Sequence, residues 1–515
     1  MPTSTKENLI SVINPATGEK LSGIIATPSS EVREKVYKAK NAFPIWSSLS
    51  IERRISYIKK IYNLIINNRN HIAETITRNN GKPLVESFLT EIASTLQVME
   101  YFIKNSSELL EEKNIPLGRL YPTKKSFLSY EPIGIIAIIE PWNYPFYLPL
   151  SAITKALVAG NTVVFKPSST TVLVGKLIED ILLQAELPEG VINTVYGNST
   201  VSDILIDSAI DKVIFTGSVE VGKKIADQCS KKLLPVSLEL GGKDPAIVLK
   251  DVNLDYACGG ILWGAVSNCG QACASIERVY VESAVYEQFV QKITELVKKL
   301  KIGNGLEHDT DIGPVINQEQ LEKIEEHIKD AQEKGAKLHI GGRRLDGPGY
   351  FIEPAVLSNV NHSMKIMTEE TFGPVIPIMK FETKEEALHL ANSTRYGLAA
   401  SIWTSETKDI KDTAKKLNCG TVWINDSLFL QAHPACPWQG YKESGYGSSS
   451  IYDFVRTKHI SVDQGFIPAI RPKSYWWYPY KGKARSYSDL IEVMFKFGLQ
   501  AKAKAAFQTM IDFLK

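Results

Sequence analysis

Cysteine is scarce in this chain of 515 residues, and its six cysteines are widely scattered: Cys229, Cys258, Cys269, Cys273, Cys419 and Cys436. So few cysteines at irregular spacing exclude a disulfide framework and favour a reducing compartment in which the thiols stay free. We find no zinc-finger spacing, no other metal-site pattern and no internal repeat. No run of 18 consecutive apolar residues occurs either, so the sequence predicts no membrane-spanning helix.

A strong charge bias is also lacking. The net charge is +2, with 44% hydrophobic and 23% charged residues, which is typical of a globular protein and gives no indication of a nucleic-acid surface. The N-terminus has no basic segment followed by an apolar run, so we expect no secretory signal and a cytoplasmic location. A chain of 515 residues exceeds what one hydrophobic core supports, so we expect two or more domains.

The order of apolar segments predicts an α/β fold. Residues 30–110 have apolar positions at helical spacing and predict amphipathic helices. From residue 126, short β-branched segments alternate with helical ones, beginning with SFLSYEPIGIIAIIEP as one long strand, and this alternation predicts a parallel sheet. The alternation starts again after Leu240, which places a second α/β domain there and makes the Gly241–Gly242 pair a candidate hinge.

Five residues in short motifs have mutually consistent spacing. Cys273 in NCGQAC lies 34 residues after Glu239 in LELGG and 97 residues before Glu370 in EETFGP. Asn143 in EPWNYPF precedes Lys166 in FKPS by 23 residues. In motif order and spacing the chain resembles the aldehyde dehydrogenase superfamily from about residue 10 to residue 465. The resemblance implies oxidation of an aldehyde to a carboxylic acid with NAD or NADP.

The resemblance also implies the domain organisation. A Rossmann-like nucleotide-binding domain is expected over 1–111 and 130–240, and an α/β catalytic domain over 241–451. A small β arm, 112–129 with 452–466, is expected to pair across a dimer, so the protein would form a homodimer or a homotetramer. Residues 467–515 lie outside the resemblance.

Two cysteines compete for the role of nucleophile. Cys269 and Cys273 are four residues apart, which on a helix would place both on one face. Taken alone, either is more often a small buried hydrophobe than a reactive thiol. The GQxC pattern of the family selects Cys273, which leaves Cys269 as a structural residue or a redox neighbour.

The resemblance assigns the other catalytic roles. Attack of the thiol on an aldehyde gives a thiohemiacetal oxygen with developing negative charge, which the Asn143 side chain and the Cys273 backbone N–H would stabilise. Glu239 would be the general base that activates water to hydrolyse the thioester. For isolated motifs, a turn residue and an edge-strand charge are the simpler interpretations of Asn143 and Glu239.

Cofactor signals are unusual in form, because no G-x-G-x-x-G follows the first strand. FTGSVEVG instead places Gly217, Ser218 and Gly222 between a strand and a helix, where N–H groups can hold a pyrophosphate. By resemblance, Lys166 binds the adenosine ribose, while Trp142, Glu370 and Phe372 contact the nicotinamide half. NAD-preferring relatives usually carry a glutamate where this chain has Ser169, so we expect NADP to be accepted alongside NAD.

Two alternative functions share this fold. A coenzyme A-acylating semialdehyde dehydrogenase would release the thioester to a thiol, but such relatives generally lack the base that Glu239 provides. A silent binding protein on the same scaffold would normally have lost Cys273 or Glu239. The aldehyde itself is not identified: Trp142, Tyr147 and Phe429 suggest an apolar substrate, although such residues are as readily core.

The C-terminal segment differs in charge from the rest. Residues 466–515 hold nine Lys or Arg and three Asp or Glu, a net charge of +6, against −4 for the first 465 residues. Its last part predicts a helix with an apolar face formed by Leu499, Ala503, Phe507, Met510 and Leu514. Such a helix suits either peripheral membrane contact or packing on the protein itself. It could also cover the substrate entrance and bring a long apolar aldehyde to Cys273.

Overall fold

A computed structural model of the chain describes residues 9–118, 121, 124–408, 410–428, 433–463, 478, 480 and 484–495. The described residues fall into two compact units. The larger lies within Met1–Ser107 and Pro132–Val455, and the smaller within Glu108–Glu131 and Arg456–Lys515. The predicted domain boundaries inside the larger unit stay a prediction.

The helices are α1 (Ser29–Ser47), α2 (Ile51–Asn67), α3 (Arg69–Asn80), α4 (Leu84–Glu86), α5 (Ser94–Leu109), α6 (Tyr147–Val158), α7 (Val172–Gln184), α8 (Ser199–Asp207), α9 (Val219–Ser230), α10 (Leu254–Val266), α11 (Tyr286–Val297), α12 (Gln318–Glu333), α13 (Lys365–Thr368), α14 (Lys384–Asn392), α15 (Ile410–Ala414) and α16 (Ala484–Phe495). A π-helical segment, Ser87–Ala93, joins α4 to α5.

The strands are β1 (Leu9–Ile13), β2 (Lys20–Ile25), β3 (Lys113–Ile115), β4 (Lys124–Pro132), β5 (Ile135–Ile139), β6 (Thr162–Lys166), β7 (Ile192–Thr194), β8 (Lys212–Thr216), β9 (Val236–Glu239), β10 (Asp244–Val248), β11 (Ile276–Glu282), β12 (Lys337–Ile340), β13 (Ala355–Ser358), β14 (Val375–Phe381), β15 (Ala399–Trp403), β16 (Thr421–Ile424), β17 (Gly445–Tyr446) and β18 (Val455–Asp463).

Two largely parallel sheets form the larger unit together with the antiparallel pair β1–β2. One has six strands in the order β17-β9-β8-β5-β6-β7, and the other has seven in the order β12-β13-β14-β11-β10-β15-β16. Every residue of β5, β6 and β10 is buried, as expected for parallel strands that are covered on both faces. The chain passes from the first sheet to the second between β9 and β10, at the Gly241–Gly242 pair.

The segment predicted as one long strand over 126–141 is two strands in different sheets. β4 ends at Pro132 and β5 begins at Ile135. Between them Gly134 has a φ of +137°, and the proline has no N–H for a ladder hydrogen bond. Pro132 and Gly134 are the sequence signals of this break, and the prediction of one long strand did not take them into account.

In the smaller unit, β18, β4 and β3 form a three-stranded sheet, with β3 and β4 antiparallel. This sheet lies where we predict the oligomerisation arm. Helix α16 lies within the C-terminal segment, whereas the predicted apolar face from Leu499 to Leu514 lies outside the described residues, as does Phe429. In the described part of the chain, no helix combines the length and the apolar character that a membrane crossing requires.

Candidate active site

The predicted nucleophile lies in an irregular loop between α10 and β11. Asn268 and Cys269 have φ values of 52° and 55°, and Gly270 has a φ of 72°, so the backbone turns in the left-handed region. Cys269 and Cys273 therefore do not lie on one face of a helix. A short polar side chain and a glycine tolerate this geometry, which helical spacing alone could not indicate.

The loop separates the two cysteines. Cys269 is 2% exposed and belongs to the hydrophobic core of the seven-stranded sheet. Cys273 is partly exposed and lines two cavities. Its position agrees with the choice of Cys273, since a buried core thiol cannot meet a substrate.

Gln271 fixes this loop from inside. It is fully buried, its Oε1 accepts from the Ile316 N–H at 2.8 Å, and its Nε2 donates to the Asn268 carbonyl at 3.0 Å. Both ends of one amide are thus satisfied by backbone, which holds the residues just before Cys273 in one conformation. The GQxC pattern contained this glutamine, but its anchoring role was not predicted.

Asn143 lies in the segment that follows β5 and contacts the same loop. Its side chain is buried, and Nδ2 donates to the Gln271 carbonyl at 3.2 Å. Its own carbonyl accepts from Lys82 Nζ at 2.9 Å and from Asn268 Nδ2 at 3.0 Å. An amide nitrogen has two N–H donors, and among the described residues only one of them makes a hydrogen bond.

A buried ion pair that the sequence analysis missed supports the Asn143 segment. Lys82 Nζ lies 2.7 Å from Glu91 Oε1 with both side chains fully buried. The other oxygen of Glu91 accepts from the N–H groups of Phe146 and Tyr147 at 3.0 and 2.8 Å. The signal was a lysine in NNGKP and one acid within the apolar SFLTEIAS, and neither is informative without the fold.

Glu239 lies at the carboxyl end of β9 and is buried. Its Oε1 accepts from Ser449 Oγ at 2.9 Å, while among the described residues its Oε2 has no hydrogen-bond partner. Burial raises the pKa of this carboxyl well above its usual range, Glu140 and Asp453 raise it further, and Ser449 and Lys155 oppose the rise. A buried carboxyl with a raised pKa and one unpaired oxygen is suited to general acid–base chemistry.

One cavity holds both Cys273 and Glu239. Its wall is largely apolar. Its lining includes Val98, Phe102, Glu140, Tyr147, Leu148, Ala152, Lys155, Ile214, Thr216, His433, Cys436, Trp438, Ser449, Asp453 and Phe454.

Burial raises the pKa of the Cys273 thiol to about 12, and the charges of Asp244, Glu239 and Glu370 add to the rise. The thiol is therefore protonated at neutral pH. Attack on a carbonyl needs a neighbouring proton acceptor or a positive charge that offsets these carboxylates.

A second cavity also contains Cys273 and Glu239 and carries most of the predicted cofactor residues. Its lining residues are Pro141, Trp142, Asn143, Thr216, Gly217, Ser218, Leu240, Gly241, Gln320, Lys323, Glu370 and Phe372. The side chain of Ser218 caps α9 by accepting from the Val221 N–H, and because Gly217 and Ser218 line the cavity, the start of this helix lies at its wall. Free N–H groups at a helix start suit a phosphate.

Close backbone approach explains the glycine pair. A Cβ at Gly241 would clash with the Glu370 carboxyl, and one at Gly242 would meet the Cys273 carbonyl. Glu370 Oε1 accepts from the Gly242 N–H at 3.1 Å, and burial raises the pKa of Glu370 to about 7. The glycines therefore let Glu370 reach the cavity, a role that differs from the predicted hinge.

Phe372 is held in a strained backbone conformation. Its φ is +57°, unusual for a bulky residue. Its N–H donates to Glu277 Oε1 at 2.8 Å, its carbonyl accepts from Gln320 Nε2 at 2.9 Å, and its ring meets Trp142 edge-on at 5.5 Å. These contacts fix one aromatic wall of the cofactor cavity, and Glu277 and Gln320 were not predicted.

Three predicted cofactor residues do not line this cavity. Lys166 is buried at the end of β6, where burial lowers its pKa to about 8. Ser169 is partly buried in the following loop, and Gly222 packs in α9 where a Cβ would overlap Leu240. Among the residues that the structure describes, no group of three or more His, Cys, Asp or Glu is arranged to hold a metal.

Comparison with known proteins agrees with this geometry. A family model described as the aldehyde dehydrogenase family matches residues 2–460. The chain is 36% identical over 476 residues to a betaine aldehyde dehydrogenase of Bacillus subtilis, covering 89% of this chain and 95% of that protein. It is 35% identical over 459 residues to a probable succinate-semialdehyde dehydrogenase of Sinorhizobium fredii named for NADP(+), covering 88% and 92%.

A solved structure of an aldehyde dehydrogenase is also similar to this chain. The NAD+ complex of an aldehyde dehydrogenase from Bacillus cereus has a TM-score of 0.85 and 32% identity, and the match covers 90% of this chain and 94% of that one. The predicted resemblance, α/β fold, enzyme class and use of NAD or NADP are thereby confirmed. The chain belongs to the aldehyde dehydrogenase family and oxidises an aldehyde to a carboxylic acid.

Proposed function

We propose that Cys273 is the nucleophile of this oxidation and that Glu239 is its general base. The observation that carries the proposal is that these two side chains line the same two cavities, one of which also contains Glu370 and Phe372. The thiol would lose its proton to a water molecule, helped by the positive charge of a bound nicotinamide, and its sulfur would bond to the aldehyde carbon while the carbonyl oxygen takes on negative charge. The second N–H of Asn143 Nδ2 and the backbone N–H of Cys273 would stabilise that charge.

The residues of the second cavity fit a dinucleotide. Trp142, Glu370 and Phe372 would hold its nicotinamide half, and Gly217 and Ser218 at the start of α9 would hold phosphate. Lys166, Ser169 and Gly222 would act on its adenosine side. When bound, NAD or NADP supplies the oxidant that accepts hydride from the thiohemiacetal carbon.

Release of the product needs water. Glu239 would take a proton from a water molecule, whose oxygen attacks the acyl carbon while the carbon–sulfur bond breaks and the thiolate leaves. Because Glu239 lies in the same cavity as Cys273, water rather than coenzyme A is the favoured acceptor. The acyl-enzyme should be trapped by acid quenching of Glu239→Gln with propanal and NAD+, and peptide mapping should place a propanoyl group on Cys273. A propanoyl group on another residue would contradict the assignment.

A third cavity, of about 460 Å³, shares Tyr147 with the cavity of Cys273. Its wall is mostly apolar and aromatic, including Val85, Leu89, Ala93, Tyr144, Leu262, Trp263, Leu300 and Ile312. Its charged lining residues are Glu86 and Asp311, and no lysine or arginine is among the described ones. We infer that the substrate is an aldehyde without a carboxylate, because an anionic group would face Glu86 and Asp311 and no cation among the described lining residues.

Two aldehydes of four carbons test this inference. Butanal and succinic semialdehyde differ in carrying a methyl or a carboxylate at the far end. We expect kcat/KM for butanal to exceed that for the semialdehyde by at least about tenfold, because like charges oppose binding. Equal values, or preference for the semialdehyde, would show that a cation outside this cavity recognises the substrate.

We further propose that the protein is a homo-oligomer. Strand β18 is exposed along Arg456–Asp463, and its Ile460 and Val462 are 39% and 41% exposed. An exposed strand with apolar side chains suits pairing with a second subunit. Light scattering should give a mass of two or four chains, and a monomer at micromolar concentration would exclude the proposal.

A further inference from the structure

A second layer of ionisable groups lies around Glu239 in the cavity of Cys273. Glu140 follows β5 and is 4% exposed, and Lys155 on α6 is 8% exposed. Asp453 completes the layer near the surface. The oxidation and hydrolysis steps described above do not use these three side chains.

Hydrogen bonds connect this layer to Glu239 through one residue. Lys155 Nζ donates to the Ser449 carbonyl at 2.8 Å, and Ser449 Oγ donates to Glu239 Oε1 at 2.9 Å. Glu140 accepts a hydrogen bond from the Thr216 side chain, but among the described residues its Oε2, like that of Glu239, has no partner. A buried ammonium therefore lies near two carboxyl groups that are incompletely paired.

The charges in this layer act on Glu239 in opposite directions. The ammonium of Lys155 favours the ionised form of Glu239, whereas negative charge on Glu140 or Asp453 disfavours it. Burial raises the pKa of Glu140 to about 8 and lowers that of Lys155 to about 8. These groups change charge in the pH range in which the enzyme must work, so their titrations are coupled.

We propose that Lys155 and Glu140 are positioning residues that set the protonation state of Glu239 during hydrolysis of the thioester. The inference rests on the proposed role of Glu239 as the base. Lys155 favours the ionised form of the Glu239 carboxylate, which can accept a proton from water, and Glu140 opposes this effect. Together the two residues set the pH range in which hydrolysis of the thioester is fast.

Other ionisable groups also face this site. Tyr147 lies at the start of α6, and Cys273 lies in the loop before β11. Lys212 on β8 contacts Asp453, and His433 and Cys436 also line the cavity. Lys212 contacts Asp453, with its Nζ 2.7 Å from the Asp453 carbonyl and 3.7 Å from its carboxylate. It therefore provides a matched control for loss of a buried lysine charge.

The test measures hydrolysis of the propanoyl-enzyme in single turnover, with propanal and NAD+, between pH 5.5 and 9. In Lys155→Met the loss of positive charge should move the rising limb of the profile to higher pH, slowing hydrolysis at pH 7 by roughly tenfold. In Glu140→Gln the limb should move to lower pH. The double variant should return toward the wild type, and Lys212→Met, which acts on Glu239 through Asp453, should shift the limb much less than Lys155→Met does.

Opposite shifts in the two variants cannot arise from general loss of structure. Shifts in the same direction, or an unchanged limb in both, would overturn the inference. If Lys155→Met does not fold, as judged by circular dichroism, the direction of the shift in Glu140→Gln decides. Normal hydrolysis in Glu239→Gln would instead show that Glu239 is not the base, which is failure of the proposed function rather than of this inference alone.

Discussion

Lys82 and Glu91 form a fully buried ion pair with a separation of 2.7 Å, and this pair anchors the segment that carries Asn143. Glu91 lies in the π-helical segment, where the wider turn is often associated with functional sites. Its carboxylate binds two backbone N–H groups at the start of α6. The position of Asn143 beside Cys273 thus depends on charges that do not themselves face the substrate.

Removing one member of this pair should destabilise the folded protein. In Lys82→Met the Glu91 carboxylate stays buried without its counter-ion, and the Asn143 carbonyl loses a donor. We expect the free energy of unfolding to fall by about 3–5 kcal/mol, measured by urea denaturation. Lys104→Met, which breaks the exposed Lys104–Glu100 pair, is the control and should change little. A loss no larger than the control's would contradict the anchoring role.

Replacing Cys273 by Ala should abolish aldehyde oxidation while NAD+ binding survives, because the thiol forms the bond to the substrate and does not hold the nucleotide. Cys269→Ala should reduce activity only mildly, since Cys269 packs in the core. Steady-state rates and NAD+ titration measure both. Equal loss in the two variants, or turnover in Cys273→Ala, would refute the assignment.

Glu239→Gln should stall the enzyme after the oxidation step. The amide cannot take a proton from water, whereas formation of the thiohemiacetal is left largely intact. Rapid mixing with aldehyde and NAD+ should show one equivalent of NADH per site followed by turnover slower by about 100-fold or more. If the burst is absent although NAD+ is bound, Glu239 acts before the oxidation step.

The sequence predicted the parts of the site that have a local pattern. Cys273, Glu239, Asn143 and Glu370 lie in short motifs, and the structure brings them to adjoining cavities. Apolar runs likewise predicted the parallel strands, because strands that are buried on both faces are continuous in sequence.

The residues that support the site could not be predicted in this way. Lys82, Glu91 and Gln271 come from separate parts of the chain and meet only after folding. A charged residue in a helix usually faces solvent, so Glu91 gave no sign of burial. The left-handed turn before Cys273 was also not predicted, because no proline or glycine separates helix α10 from Asn268 and Cys269.

Ser169→Glu should shift cofactor preference toward NAD. The added carboxylate would accept from the 2′-hydroxyl of NAD and repel the 2′-phosphate of NADP. We expect KM for NADP to rise by about tenfold or more, with a smaller change for NAD. Ser168→Glu, in the same loop, controls for added charge alone. A wild-type enzyme that already excludes NADP would show that another position sets the preference.

We propose that the C-terminal segment contacts an anionic membrane surface, and packing on the protein itself is the alternative. Residues 466–515 carry a net charge of +6, and Ile491 and Phe495 of α16, one turn apart, are 57% and 56% exposed. Full-length protein should therefore sediment with phosphatidylserine vesicles at low salt and be released as salt rises, because salt screens the attraction. Deleting 484–515 should abolish sedimentation, and replacing Ile491 and Phe495 by Asn should weaken it without a change of charge. If the full-length protein ignores the vesicles and the deletion lowers the oligomer mass, the segment is a subunit contact and the membrane proposal fails.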